Sequence, residues 1–570
     1  MADVASTAHT LVEEKDTAPS TPGEKKESQV EQGVVEAVKD DEKTTDTYLH
    51  GRKLALVHSG LLMTTFLVAL DQSIVATALP KLVSQFNALD QITWIVAAYF
   101  LTQAGLLLLY GRILQIVSSK YLFLFCIVMF EIGSLGATRH ALAPLVDIAS
   151  NISIGVGGGG GFTTVITIVA EIAQLSVRPI LMASFGATFG IAGVCGPIIG
   201  GAFTDHVSWR WCFWINLPLG AFSAVVVAAL LPLHPPLGST AESQGQSLVK
   251  KWLNLDWVGA ILSLGMVTTL VLPLEWGGVT RAWDDKVIIA LLVTAGVLFI
   301  IFGVWEYFKG DNALLPMHLL LNRTQLAGGI FAFFFMGTHL SAIYHIPFYY
   351  QARGHSASQS GVDMIPYVIA MVVSNLGTGG IVRKLGRYWY FMFTGPIFAA
   401  VGSGLLYTIN TTEAKKVIGY QILLGFGIGQ TFQLPIMAVQ AEYANRLDMI
   451  STASSLQLFF QLLGGVCGIA ITGSIFNNQL SDGLSVYQGV IPTQILDAVK
   501  QSVTVVFSLP TEFQLPIIDV YVSALRTTFI FGVPAMGIAL ISAIFVRNWN
   551  LHERGKVSTE RMETKEVKAN

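Results

Sequence analysis

The sequence predicts an all-α integral membrane protein with fourteen spans, and three observations carry that prediction. Only 12% of the 570 residues are charged while 52% are hydrophobic, whereas soluble domains carry about 25% charged residues. Mean hydropathy is +0.59. Fourteen mostly apolar runs approach the roughly 20 residues that a spanning helix needs.

Taken in order, residues 1–53 are rich in Glu, Lys, Thr and Ser. Such a tail buries too little apolar surface to offset the entropy of ordering and is expected to be disordered. No short apolar stretch near Met1 reads as a signal peptide. Spans are expected at 54–76, 92–110, 121–138, 145–170, 181–203, 211–232, 256–275, 287–308, 326–348, 363–382, 389–409, 417–440, 454–476 and 527–546. The stretch 477–526 is left as a long loop. Segment 54–232 makes a first six-helix half, 233–308 a linker with two extra spans, 309–547 a second six-helix half and 548–570 a charged C-tail.

An even number of spans puts both tails on one side. That side receives 24 of the 34 lysines and arginines, so the positive-inside rule places both tails in the cytoplasm. The loops alone divide almost evenly, and the tails decide the orientation. Asn410-Thr-Thr412 is a glycosylation sequon on an outer loop. The sequons at Asn151 and Asn322 fall within a helix and on the inner side. Gly111-Arg112 to Lys120-Tyr121 and Gly380 to Tyr388 are short basic loops opening into aromatic-rich helices. They stand at equivalent places in the two halves, a faint internal repeat. Parallel six-span halves are the architecture of major facilitator transporters.

The fifth span carries Gly186, Gly190, Gly193, Gly196, Pro197, Gly200 and Gly201. Glycines three or four apart line one helix face and let a neighbouring helix approach closely, and Pro197 is expected to bend the helix. The plain alternative is a packing motif with no transport role. With the following run to Gly220, this stretch (Gly196-Pro-Ile-Ile-Gly-Gly-Ala-Phe-Thr-Asp-His-Val-Ser-Trp-Arg-Trp) resembles the antiporter motif of the fourteen-span drug:proton antiporter family of the major facilitator superfamily. The fungal toxin and multidrug efflux branch is the nearest in kind. Leu70-Asp71-Gln-Ser-Ile-Val-Ala-Thr-Ala-Leu-Pro80, Phe130-Glu131-Ile-Gly-Ser-Leu135 and Gly425-Phe-Gly-Ile-Gly-Gln430 are similar to that family as well. The resemblance runs from about residue 54 to 547. It implies export of a small amphipathic molecule, a secondary metabolite, toxin or drug, in exchange for protons.

Two positions depart from the family pattern. Gln115 stands near the place of an Asp in the loop after the second span. Asn151 stands where the fourth span would carry an Arg tied to proton coupling, and an Asn cannot act on a carboxylate by charge. Coupling is therefore either reorganised around other groups or impaired.

Intramembrane acids are functional candidates because burying them is costly. Asp71, read near the outer end of the first span, matches the family's motif and is the candidate proton carrier. The alternative is a helix-end carboxylate in water. Glu131, midway along the third span, is the second candidate, its alternative being a hydrogen bond to a neighbouring helix. Gln430 and Gln433 are three apart, and Gln457 and Gln461 four apart, so each pair shares a helix face. Amides facing lipid would be unsatisfied, so they face the bundle interior. With Tyr99, Gln103, His339 and Tyr344 they read as a substrate cavity or as interhelical hydrogen bonding.

Other chemistry is excluded or unsupported. There is no G-x-x-x-x-G-K-[ST], and Gly157–Gly161 lacks the Lys of a phosphate loop. No H-E-x-x-H or G-x-S-x-G occurs, and the chain is not read as an enzyme. Cys126, Cys195, Cys212 and Cys467 lie in or beside apolar runs with no C-x-x-C spacing, and no metal is expected. Net charge is −3, without the basic footprint of nucleic-acid binding. The partners are the bilayer and a small amphipathic substrate, with no cofactor beyond a proton gradient. A monomer in the cell membrane is expected, with vacuolar or vesicular membrane as the alternative. Two rival functions stay open: a proton-coupled importer of iron chelates or nutrients, and a non-transporting sensor on the same fold.

Overall fold

In a computed structural model the described residues are 48–86, 92–139, 144–238, 247–278, 281–411, 414–501 and 503–556. Most of the N-tail, the end of the C-tail and Thr412 of the outer sequon lie outside them. The spanning elements are α1 Gly51–Phe86, α2 Ile92–Ile113, α3 Ser119–Arg139, α4 Pro144–Ile172, α5 Arg178–His206, α6 Asn216–Leu230, α7 Trp257–Trp276 and α8 Lys286–Lys309. They continue with α9 Arg323–Ala352, α10 Ile365–Leu385, α11 Trp389–Tyr407, α12 as Ala414–Thr431 plus Leu434–Glu442, α13 Leu447–Ser485, and α14 as Thr511–Phe529 plus Gly532–Phe545. Thirteen stretches among the described residues are long and apolar enough to cross a membrane. α2, a helix of 22 residues, is the fourteenth, outside those thirteen, and packs against α4, α7 and α13.

One packing plan is used twice. In the first half α1 packs on α5 and α6, α4 on α2 and α3, and α3 on α6. In the second half α9 packs on α13 and α14, α12 on α10 and α11, and α11 on α14. The halves meet at two equivalent seams, α5 with α10 and α2 with α13. α7 and α8 pair with each other, and α7 also leans on α2. This is the major facilitator architecture with two added central helices.

Three helices, α1, α13 and α14, are far longer than hydropathy windows suggest. α1 has 36 residues and α13 has 39, about 54 and 58 Å at 1.5 Å per residue, well beyond a hydrocarbon core of about 30 Å. The stretch expected as a loop at 477–526 is mostly helical: α13 runs to Ser485, then come Thr493–Gln501, a 3₁₀ turn Val503–Ser508 and the first segment of α14. Hydropathy misses these segments because they are amphipathic. They bury Leu496, Val499, Val506, Ile517 and Tyr521 in the core around α9, with Tyr349 and Tyr350. α12 breaks at Phe432–Gln433, just before Pro435, which has no N–H for the helical ladder. α5, by contrast, continues through Pro197.

The described start of the C-tail packs against the second half. Glu442 at the end of α12 accepts from Arg547 at 2.7 Å, Trp549 Nε1 at 2.7 Å and Thr324 Oγ1 at 3.0 Å. Leu551 is fully buried and its N–H donates to Gly386 O at 2.9 Å. Residues 547–556 therefore pack under the second half instead of hanging free. Arg554 adds bonds to Ala441 O and Glu442 O at 3.3 and 3.2 Å, so Arg547, Arg554, Trp549 and Leu551 anchor a segment too short for any composition window.

Candidate functional site: a carboxylate network and an amide cavity

The polar interior falls into two clusters. The first belongs to α1, α2, α3 and α6. Asp71, only 3% exposed, lies inside α1 rather than at its watery end. Its Oδ1 accepts from Asn216 Nδ2 at 3.3 Å, and the same amide nitrogen stands 3.1 Å from Ser134 Oγ. Glu131 lies one turn before Ser134 on α3. Both of its carboxylate oxygens, and Asn216 Oδ1, are buried without a hydrogen-bond partner. The Glu131 carboxyl rests where Gly220 of α6 has no side chain, since a Cβ there would collide with Oε1. Glu131 also lines a small cavity with Thr64, Leu67, Phe130 and Gly161. The hydrogen bond to a neighbouring helix that was its alternative reading is absent. Next to Asp71, Gln72 donates to Tyr99 Oη at 3.2 Å and to Gln103 Oε1 at 3.4 Å. Tyr99 and Gln103 are thus brought to the acids rather than to the other amides.

The second cluster lies at the seam of α5 with α10 and α12. Its small cavity is lined by Met182, Asn375, Thr378, Gln433, Leu434 and Met437, with Gln430 at its edge. Gln433 Oε1 and Asn375 Nδ2 are buried and unpartnered. Gln430 also lines the cavity, with its Oε1 accepting from Thr394 Oγ1 at 2.6 Å. His339 Nδ1 stands 2.7 Å from Tyr367 Oη, its ring stacked with Phe335 and edge-on to Phe432.

The other expected cavity residues fall elsewhere. Gln457 Nε2 donates to Gln325 O at 2.8 Å, and Gln461 Nε2 lies 3.9 Å from Met336 Sδ, both joining α13 to α9. For Gln430 and Gln457 the packing favours interhelical hydrogen bonding. Tyr344, five residues beyond His339, is 39% exposed and points away from that cluster. Asn410 is exposed, while Asn322 caps α9 through Thr324 N at 2.9 Å and Asn151 is buried in α4.

The glycine stripe of α5 serves two neighbours instead of one face. A Cβ on Gly186 or Gly190 would collide with Asn375 or Met371 of α10, and one on Gly196 with Ser73 of α1. Gly193 has nothing within 4 Å. Contact resumes near Gly201, whose Cβ would lie 3.4 Å from Ser358. Gly200, buried, accepts from Thr204 Oγ1. At the other seam Gln115 spans the two halves: Nε2 donates to Asp448 O at 2.9 Å and Thr452 Oγ1 at 2.8 Å. An amide thus bridges the halves where the family pattern has an acid. Sequence reasoning missed Asn216, Ser134, Asn375 and Tyr367. A polar residue inside an apolar run was the available signal for each, but nothing in the run tells which helix it will face.

Comparison with known proteins follows the same lines. The family model of the Major Facilitator Superfamily matches residues 61–469. The MFS-type transporter thnB of Trichoderma harzianum is 37% identical over 516 residues, covering 90% of this chain and 87% of that one. The rubrofusarin-specific efflux pump aurT of Gibberella zeae is 34% identical over 501 residues, 87% of this chain and 90% of its own. The MFS-type efflux pump MFS1 of Trichophyton rubrum is 35% identical over 485 residues, 81% and 89% of the two chains. Among solved structures, the human organic anion transporter MFSD10 (TETRAN) superposes with a TM-score of 0.56 at 13% identity, over 87% of this chain and 100% of that one. A double-Trp mutant of XylE gives 0.55 at 13%, over 88% and 98%. The two superpositions bear on the fold alone.

Proposed function

Because the chain belongs to the Major Facilitator Superfamily and is a membrane transporter, we propose that it is a proton-coupled antiporter exporting a small amphipathic molecule such as a secondary metabolite. The observation that carries the reading is the pair of intramembrane acids, Asp71 bonded to Asn216 and Glu131 with both oxygens unpartnered. An ionised carboxylate with neither counter-ion nor hydrogen bond is costly in a dry interior, so protons are the natural companions of this pair. Alternating access then exposes the acids to each side in turn, and proton entry resets the carrier after substrate release. Two of the relatives bear the name of efflux pump, which favours export over import.

The proposal extends to topology. The tails face the cytoplasm of the cell membrane, Asn410 carries glycan on the outer side, the working unit is a monomer, and the proton gradient is the sole energy source. Asp71→Asn is the decisive variant. In proteoliposomes with an imposed pH gradient it should abolish gradient-driven substrate flux while leaving substrate exchange without a gradient. Gradient-driven flux equal to the unsubstituted chain would overturn the role of Asp71. Substrate moving with the protons rather than against them would make the protein an importer.

A further inference from the structure

The cavity at the α5, α10 and α12 seam has a chemistry of its own. Two of its polar atoms are buried without a partner, an amide donor, Asn375 Nδ2, and an amide acceptor, Gln433 Oε1. The two residues are 3% and 4% exposed, so neither is satisfied by bulk water. No charged side chain lines the cavity; its other walls include Met182, Thr378, Leu434 and Met437. Gly186 borders both the Asn375 amide and the flank of the Phe432 ring, where an added Cβ would lie 3.0 Å from Cδ1. The missing side chain at Gly186 therefore lets the Asn375 amide and the Phe432 ring pack directly against α5.

A buried donor and acceptor left unpaired cost on the order of 1–3 kcal/mol each, and a ligand that pairs both recovers it. A charged ligand group would find no counter-ion there and would face the full cost of desolvation. We propose that this cavity is the recognition site for a neutral, flat amphiphile that presents an acceptor to Asn375 and a donor to Gln433, as a carboxamide or a hydroxylated aromatic ketone does. The inference rests on the transport reading, and it names the class of molecule carried. In the present conformation the halves close over the cavity at Gly379, where a Cβ would meet Ala183 and would lie 2.8 Å from Pro179 O. The ligand enters when α5 and α10 part.

One ring in several chemical states tests the assignment. The probes are anthracene-2-carboxamide, its N,N-dimethyl derivative, anthracene-2-carboxylate and protonated 2-(aminomethyl)anthracene, with equilibrium binding to the full-length purified chain read by anthracene fluorescence. The carboxamide should bind about tenfold or more tightly than each of the others, since a site built to hydrogen-bond strongly rejects analogues that lack the partner. Asn375→Leu and Gln433→Met should each collapse the ratio between the carboxamide and its dimethyl derivative towards one. The ratio is taken on one preparation, so an inactive fraction does not alter it. Equal binding of the charged probes, no binding of any probe, or unchanged ratios in both variants would overturn the proposal. Binding is measured without a pH gradient, so the failure of proton-coupled export would appear separately, as carboxamide binding without gradient-driven flux.

Discussion

The two six-helix halves are packed alike, α1 against α5 and α6 as α9 is against α13 and α14, yet their interiors differ in kind. The first half buries Asp71 and holds Glu131 half-buried. In the second, residues 324–352, 365–382, 389–407, 417–441 and 449–481 contain no Asp, Glu, Lys or Arg, and the polar interior is made of Gln, Asn, His and Tyr. Backbone packing follows from the repeat of small residues at helix crossings, which both halves retain: Gly157 on α3, Gly464 and Gly468 on α9. Chemistry is free to diverge on that shared scaffold. In the proposed mechanism the first half handles protons and the second recognises the substrate. Coupling must then pass through the seams, and the predictions below test that division from the largest expected effect to the smallest.

The seams come first. Gly111 of α2 meets α13 so closely that a Cβ would collide with Ser455 Oγ and lie 3.0 Å from Thr452 Cα. Gly111→Leu should hold the halves apart on the tail side. Overpacking of this kind costs about 1–3 kcal/mol, enough to shift a two-state equilibrium by about tenfold. Loss of transport together with raised thiol-probe access to a cysteine placed at Thr452 is the expected result. Gly193→Leu, which enters open space, should transport almost normally. If the two variants behave alike, close approach at the seam is not what closes the carrier.

The acids within the first half differ from each other. Glu131→Gln removes the half-buried acid and leaves the Asp71–Asn216–Ser134 chain in place. Gradient-driven flux should fall without vanishing, less than with Asp71→Asn, in the same proteoliposome assay. Complete loss would give the two carboxylates equal standing.

Much of this was legible in the sequence. Asp71 and Glu131 stand out because charge is rare in spans, and the fourteen apolar runs set the span count. The partners were not legible. Asn216 sits in an apolar run of α6, and only the packing of α6 between α1 and α3 brings it to Asp71. The same holds for Asn375, whose significance depends on α10 meeting α5. Tyr344 and His339 share a helix but stand about 140° apart around it at 100° per residue, so one reaches the aromatic cluster and the other lies on a different face. Hydropathy windows gave span existence well and ends poorly, because α13 and α14 run on as amphipathic helices beyond the apolar stretch.

Glu442 tests whether the C-tail belongs to the second half. Its carboxylate receives Arg547, Trp549 and Thr324, but Arg547 is 49% exposed, so water screens the pair and its contribution is about 1 kcal/mol at most. Glu442→Gln should lower the detergent-solubilised unfolding midpoint slightly and raise protease cleavage after Arg547 and Arg554. Unchanged cleavage would mean that Leu551 alone anchors the segment.

The smallest effect separates the two uses of amides within the second half. Gln457 donates to Gln325 O, a bond between α13 and α9 that stays inside one half, although its Oε1 is buried without a partner. Interhelical hydrogen bonds in membranes contribute about 0.6 kcal/mol on average. Gln457→Leu should therefore shift the unfolding midpoint barely and leave both the probe ratio and the pH dependence of transport untouched. Gln433, with no helix to hold, should show the opposite pattern: little change in unfolding and a collapsed ratio. If Gln457→Leu also collapsed the ratio, the amides of α12 and α13 would form one continuous recognition surface, and the division between structural and ligand-facing amides drawn from their hydrogen bonds would fail.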